Sequence, residues 1–463
     1  MKKIRSITAI VLIVSLLFSL SGCSFRFSNF DSLLRPPRYS GDNQELHDAF
    51  EKSVGTNYVL SMPENGEYRS AFITYDFDAD DDEDALVFYA LRENPEEIKF
   101  RFFKHDKDQW IPSEAYDGSG NTVDTVMFSD INFDSIPEII IGWSYLSGKA
   151  NKIFSVYSTV NGNLRFIKSY PYTYLALVDV TGDSNEDIFT LTVDSSNPEQ
   201  LMGYARVYSF NMSSYTLDIL SEAYTDGNIS SYSKIQTETV DGIKYTYVEA
   251  IKGQNDSITE LLYWDDDEKT LVAPFFDETS QTTTLSWRNI NISSMDVDSD
   301  TMLEVPFSVE MKGSASYDSD SDDKKTAHIE NDSNDSMYFI KWVKFRDSGI
   351  RPVQYSIIND KFNYMLNIQS SWVGRITASR TDGQLDVYRW MSYEQKAGDL
   401  LFSICSYSKD DAESVENYST YKPLASSGNT NFVYRITNAG YAFGVKEENI
   451  ERDFILTDFG GLK

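Results

Sequence analysis

A mainly β fold built on a repeated unit of about 50 residues is what this sequence predicts, and three observations predict it. β-branched and aromatic runs of strand length, such as Ala85-Leu86-Val87-Phe88-Tyr89 and Ile139-Ile140-Ile141-Gly142-Trp143, recur along the chain. A short acidic loop of fixed pattern recurs between such runs. An apolar fraction of 41% with 14% aromatics, in 463 residues, supplies far more core than a disordered chain carries. The expected architecture is a β-propeller of about five blades with calcium loops, followed by a small α+β C-terminal domain.

The chain opens with Lys2, Lys3 and Arg5, followed from Ile7 to Leu20 by a run without charge. That layout is a secretory signal, and the run is short for a spanning helix. It ends in Leu20-Ser21-Gly22-Cys23, which resembles the lipobox of bacterial lipoproteins. The resemblance implies cleavage before Cys23 and a diacylglyceryl group on its sulfur. Residues 1–22 are then the signal peptide, and the protein is exported and tethered by lipid to the outer face of the cell membrane. Residues 23–43 hold Pro36-Pro37 and a Ser-Gly-Asp-Asn cluster, a composition suited to a tether. Gln44 to Val54 reads as a short helix, because Leu46, Phe50 and Val54 share one face.

Four segments carry the acidic loop. They are Asp76, Asp78 and Asp80 with Asp84; Asp130, Asn132 and Asp134 with Glu138; Asp179, Thr181 and Asp183 with Asp187; and Asp296, Asp298 and Asp300 with Glu304. Oxygen-bearing side chains thus fall at positions 1, 3, 5 and 9 of each loop. Calcium takes six to eight oxygen ligands at flexible geometry, and alternate side chains of a turning loop can converge to supply them. Without a cation the clustered carboxylates repel one another. Thr181 makes the third loop the weakest set.

An EF-hand is excluded. It requires Gly at position 6 and Glu at position 12. Here position 6 is Asp81, Ser135, Ser184 and Thr301, and position 12 is Val87, Ile141, Thr190 and Phe307. The flanks are strands rather than helices, giving a strand–loop–strand unit. That unit resembles the FG-GAP or VCBS type of repeat, familiar from the integrin α-chain propeller and many bacterial surface proteins. Leu33-Leu34-Arg35-Pro36-Pro37 and Tyr68-Arg69-Ser70-Ala71-Phe72 are similar to text in a Gram-positive lipoprotein family. This resemblance implies architecture rather than chemistry.

Loop starts lie 54, 49 and 117 residues apart, the last interval spanning two repeats. Polar turns near Asp106, Asn161, Met212, Asp266 and Asp347 lie 55, 51, 54 and 81 residues apart, and the first three intervals keep the same period. The repeat that should carry a loop near residue 235 reads Ser233-Lys234-Ile235-Gln236, so one blade has lost its calcium site. An acidic insertion at 313–336 lengthens the last repeat. Residues 44–358 are therefore assigned to the propeller. Five blades is the count and six the alternative, with a strand near 58–62 or 68–75 expected to complete the last blade and close the ring.

Residues 359–463 lose the acidic pattern and mix strands with short helices, expected at 410–418 and 446–454. Asp382-Gly383 marks a hairpin, and Leu400 to Cys405 a buried strand in which the Cys405 thiol is inert. An α+β domain fits.

Chemistry is narrowed by what the chain lacks. With 41 Lys+Arg against 72 Asp+Glu the formal charge is −31, which argues against nucleic acid as a partner. His47, His105 and His328 stand apart in charged or polar contexts, without a second ligand at metal or triad spacing. No phosphate loop or dinucleotide fingerprint occurs. The expected function is non-catalytic binding or scaffolding of an envelope protein or glycan. The alternative is an envelope polysaccharide hydrolase using a carboxylate pair.

Overall fold

The computed structural model describes residues 42–459 apart from 108, 146–151, 196, 198–200, 254–255, 314–336, 347–348, 382, 412–415 and 458. Cys23, the signal peptide, most of the tether, His328, the acidic insertion but for Gly313, and much of the helix expected at 410–418 lie outside the described residues. The chain is mainly β, arranged as antiparallel sheets that follow one another in sequence. No helix among the described residues is long and apolar enough to cross a membrane.

Helix α1 (Asp42–Val54) precedes the first sheet, formed by β1 (Tyr58–Leu60), β2 (Phe72–Tyr75), β3 (Asp84–Leu91), β4 (Asn94–Asp106) and β5 (Gln109–Asp117). The second contains β6 (Thr122–Ser129), β7 (Glu138–Ser144), β8 (Lys152–Val160) and β9 (Asn163–Tyr172). The third contains β10 (Tyr174–Val178), β11 (Asp187–Asp194), β12 (Met202–Asn211) and β13 (Thr216–Asp226). The fourth contains β14 (Ser231–Val240), β15 (Ile243–Lys252), β16 (Asp256–Asp265) and β17 (Thr270–Val272). In the second, third and fourth sheets strands pair in chain order, as short hairpin connections require. A small hairpin, β18 (Phe276–Asp277) and β19 (Thr282–Thr283), leads to the fifth sheet.

The fifth sheet holds β20 (Val305–Glu310), β21 (Tyr338–Arg346), β22 (Gly349–Asn359) and β23 (Tyr364–Ile368). The sixth holds β24 (Ile376–Thr381), β25 (Gln384–Met391), β26 (Lys396–Ser408), β27 (Lys422–Ser427) and β28 (Thr430–Ile436). Helices α2 (Asn438–Phe443) and α3 (Glu447–Asp453) follow, and β29 (Phe454–Leu456) returns to pair with β23. The boundary expected at residue 359 therefore falls inside the fifth sheet, which the chain leaves after β23 and rejoins at β29. Residues near the C-terminus share one core with β22 and β23: Phe432, Ile450 and Phe454 pack with Ile357, Tyr364 and Leu366.

Hydrophobic clusters join the sheets in sequence order. Phe88 and Phe100 meet Trp143 and Tyr157 between the first two sheets, and Phe154 meets Tyr208 between the second and third. Leu191 and Val207 pack with Val248 and Leu262, and Tyr247 and Leu261 with Val305 and Val343. Phe339 and Leu366 pack with Val387 and Phe402. Each inner strand is thereby covered on both faces. That is why β3 and β7 read as continuous apolar runs instead of alternating ones.

The N-terminal strands depart from expectation. β1 and β2 both pair with β3, end to end along one edge, and neither adds to a later sheet. The face of the first sheet turned from the second is covered by α1, whose Leu46 and Phe50 pack on Ala85, Val87 and Tyr89. Among the described residues no core cluster unites the first sheet with the fifth or sixth. The strand expected to complete the last blade is thus part of the first sheet, and an amphipathic helix covers that sheet's outer face.

Candidate functional site: four acidic loops and a cleft between sheets

Three of the loops connect consecutive, paired strands of a sheet: 76–83 between β2 and β3, 130–137 between β6 and β7, and 179–186 between β10 and β11. The fourth runs from 296 into β20, where Met295 and Glu304 form a two-residue bridge that stands for the missing first strand. The fourth sheet has the tight turn Asp241-Gly242 at this place, both residues left-handed, and no acidic loop.

One backbone shape serves all four. Positions 4 and 6 are left-handed in each: Ala79 and Asp81, Phe133 and Ser135, Gly182 and Ser184, Ser299 and Thr301. Two such residues fold the loop inward, so the carboxylate at position 1 accepts its backbone N–H groups. Asp76 accepts from Asp80 and Asp81 at 3.2 and 3.1 Å, and Asp130 from Asp134 and Ser135 at 3.1 and 2.8 Å. Asp296 accepts from Asp300 and Thr301 at 3.1 and 2.8 Å, whereas Asp179 accepts from Gly182 alone, at 2.7 Å. Only Gly182 is a residue type that signals this conformation in sequence.

At position 9, Asp84, Glu138 and Glu304 are fully buried and Asp187 half-buried. Glu138 accepts from the Ile131 N–H at 3.2 Å and the Asn132 amide at 2.5 Å. Asp187 accepts from the Val180 and Thr181 N–H groups, at 2.8 and 2.9 Å. Asp84 accepts from the His105 N–H at 2.9 Å through Oδ1, while its Oδ2 and Asp78 Oδ1 are buried without a hydrogen bond. Burial, reinforced by the neighbouring carboxylates, pushes Asp84 up to about 7 and Glu138 up to about 8. Burial raises Asp187 and Glu304 as well.

Carboxylate oxygens converge in two loops. Those of Asp76, Asp78 and Asp80 lie within 4.8 Å of one another, as do those of Asp296, Asp298 and Glu304. Each cluster receives a lysine from the strand paired with the one its loop leads into. Lys104 on β4 pairs with Asp78 and, at 3.2 Å, with Asp80. Lys344 on β21 pairs with Asp298, Asp300 and Glu304 at 2.8, 2.5 and 3.0 Å. The alignments Ala85↔Phe103 and Val305↔Val343 set each lysine across from the position-9 acid. Ser158 and Ser209 stand there in the second and third sheets, and Lys244 of the fourth sheet reaches Asp179 at 3.0 Å. These lysines escaped sequence reasoning. Lys104 follows Asp84 by 20 residues and Lys344 follows Glu304 by 40, because the acidic insertion intervenes, so no common spacing marks them.

Away from the loops, the fourth sheet buries a polar network. Arg288 is fully enclosed and pairs with Glu249; its remaining guanidinium protons reach Ile292 O at 2.7 Å and Thr259 Oγ1 and Ser286 O at 3.0 Å. Beside it, the Asp226 N–H donates to Glu260 at 2.7 Å, and Thr283 donates to both carboxylates. Burial pushes Glu260 up to about 7; for Asp226 burial is outweighed by Lys252 and Thr282, which hold it below its usual range. This is a carboxylate pair with split acidities, yet both members are sealed and hydrogen-bonded, and neither lines the clefts found between sheets.

A cleft of about 650 Å³ lies between β6 and β10, the first strands of the second and third sheets. Tyr68, Tyr75 and Phe128 form one aromatic group in its wall, with ring centroids 4.7 Å apart for Tyr68–Phe128 and for Tyr75–Phe128. Behind it, buried Asp124 accepts from Asn65 and Lys152, both at 2.8 Å, and from the Tyr172 hydroxyl.

No family model matches the chain. No curated protein matches it. Among solved structures, the crystal structure of a protein from Lactobacillus plantarum is similar over 72% of this chain and 84% of that one, at 8% identity and a TM-score of 0.25. A likeness that slight carries no argument about fold or function.

Proposed function

We propose that this chain is a binding or scaffolding module of the cell envelope, tethered through lipid on Cys23, whose propeller-type stack of sheets is stabilised by calcium. The observation that carries the reading is the recurrence of one loop, with left-handed residues at positions 4 and 6, in four of five successive sheets. A polar turn that merely links strands needs no oxygen-bearing side chains at positions 1, 3, 5 and 9 of every copy. Position-9 carboxylates buried beside others are costly unless a cation or a proton neutralises them. A divalent ion of flexible, oxygen-rich coordination supplies that charge. Its role is structural: it pins the first hairpin of a blade and stabilises the fold by mass action where calcium is plentiful.

Binding is preferred to hydrolysis because the Asp226–Glu260 pair is closed to substrate and saturated by protein donors. The test is calorimetric titration of calcium into the chelator-treated chain, with thermal unfolding before and after. Three or four sites and a marked rise in Tm support the reading. No binding heat and an unchanged Tm overturn it. Release of the protein from membranes by Cys23→Ser tests the anchor separately.

A further inference from the structure

We propose that the cleft between β6 and β10 binds a neutral oligosaccharide of pyranose units. The inference rests on the binding-module reading and supplies its ligand class and place. At about 650 Å³ the cleft falls within the size range of small-ligand sites, roughly 300–1,000 Å³.

Its composition selects the ligand. Tyr68, Tyr75 and Phe128 are half-buried, offering ring surface to the cleft while held in place by one another. Rings fixed in this way lose little freedom on binding, and they suit the C–H faces of sugar rings. Hydrogen-bonding groups stand near them: Asn65, Thr125 and Thr173 line the same space. Among the described lining residues Lys152 is the one cation, and its ammonium is engaged by Asp124. An anionic glycan or a phosphate ester finds no free positive partner there, and a chain of net charge −31 repels it at long range. The remaining carboxylates, Glu67 and Glu186, are exposed at the rim, where solvent screens them, so a cationic peptide gains little.

The position of the cleft is itself built. Residues 64 and 65 hydrogen-bond to the start of β6, with Glu64 N to Val123 O at 3.0 Å and Asn65 N to Asp124 O at 2.8 Å. Gly66 is left-handed, and a side chain there would strike Thr125 Oγ1 at 2.5 Å. This close approach sets Tyr68 over the later part of β6, against Phe128.

Calorimetry of the full chain with neutral tetrasaccharides of glucose, galactose, mannose and N-acetylglucosamine tests the proposal, with a sulfated tetrasaccharide and an arginine-rich peptide for comparison. At least one neutral tetrasaccharide is expected to bind. Tyr68→Ala should weaken it tenfold or more, and Ala176→Trp, which adds bulk to the cleft from the β10 side, should abolish it. Tyr393→Ala, at a fully exposed site, should leave it unchanged. No heat with any neutral tetrasaccharide overturns the proposal, as does binding that survives Ala176→Trp or binding confined to the sulfated sugar or the peptide. Calcium titration of the same preparation separates the two readings: calcium heat without saccharide heat sinks the cleft alone.

Discussion

The ammonium of Lys344 lies 2.8 Å from an Asp298 carboxylate oxygen, inside the acidic loop that leads into the fifth sheet. Lys104 makes the corresponding contact with Asp78 in the first sheet. Each ammonium neutralises part of its loop, so calcium bound there, as proposed, would have to compete with the lysine for the same oxygens.

Removing that ammonium should therefore separate the two effects. Lys104→Met leaves Asp78 and Asp80 without their cation, and in chelator the variant should lose about 1–3 kcal/mol of stability. Calcium should restore more to the variant than to the parent, and bind its first loop more tightly. Denaturant unfolding with and without calcium measures both. A variant with unchanged calcium affinity would show that Lys104 and calcium do not share a site.

In chelator, stability should fall as pH rises from about 5 to 8. Asp84 and Glu138 have folded-state values raised to about 7 and about 8, largely by burial, so across this window the folded chain holds protons that the unfolded chain has released. The stability those protons contribute is present at the acid end and lost as pH passes the raised values. Glu138→Gln, which carries no charge to bury, should flatten its part of the slope and raise the chelated Tm at pH 8. A steeper or unaltered profile would contradict the assignment.

Arg288→Met should be among the most damaging single changes in the fourth sheet. It strands the Glu249 carboxylate in the interior, at a cost of about 3–5 kcal/mol. The double variant Arg288→Met/Glu249→Leu, which removes both charges, should recover much of that loss in equilibrium unfolding.

Phe133 occupies a left-handed position, φ 61°, while 68% exposed, so its ring returns little for the strain. Phe133→Asn should stabilise the chain by about 0.5–1 kcal/mol, because asparagine tolerates this conformation. A loss of stability would mean that the ring is held by contacts that matter.

Much of the strand pattern was legible in the amino-acid sequence. Runs such as Ala85–Tyr89 and Ile139–Trp143 are apolar at consecutive positions because both faces of β3 and β7 are covered, and such runs announce inner strands. The four acidic loops were legible for a related reason: their side chains act within nine consecutive residues, so spacing alone groups Asp130, Asn132, Asp134 and Glu138. The missing loop of the fourth sheet was expected near residue 235, but Ser233–Gln236 lie within β14 and the corresponding turn is Asp241-Gly242, six residues further on.

What tertiary structure alone decided are the relationships between residues distant in the chain. Pairing energy depends on which edge a strand reaches, and nothing in Tyr58–Leu60 says that it lies beside β2 along β3. Nor does the apolar face of α1 name the sheet it covers. The lysines inside the loops, the Glu249–Arg288 pair and the aromatic wall of the cleft all join residues from separate strands or loops. Their proximity follows from register and from sheet-on-sheet packing. The sequence by itself determined the local chemistry, a repeated cluster of carboxylates on turning backbone, because that chemistry is short-range along the chain. Packing determined which cation, proton or ligand those groups meet, because burial and field are properties of the assembled sheets.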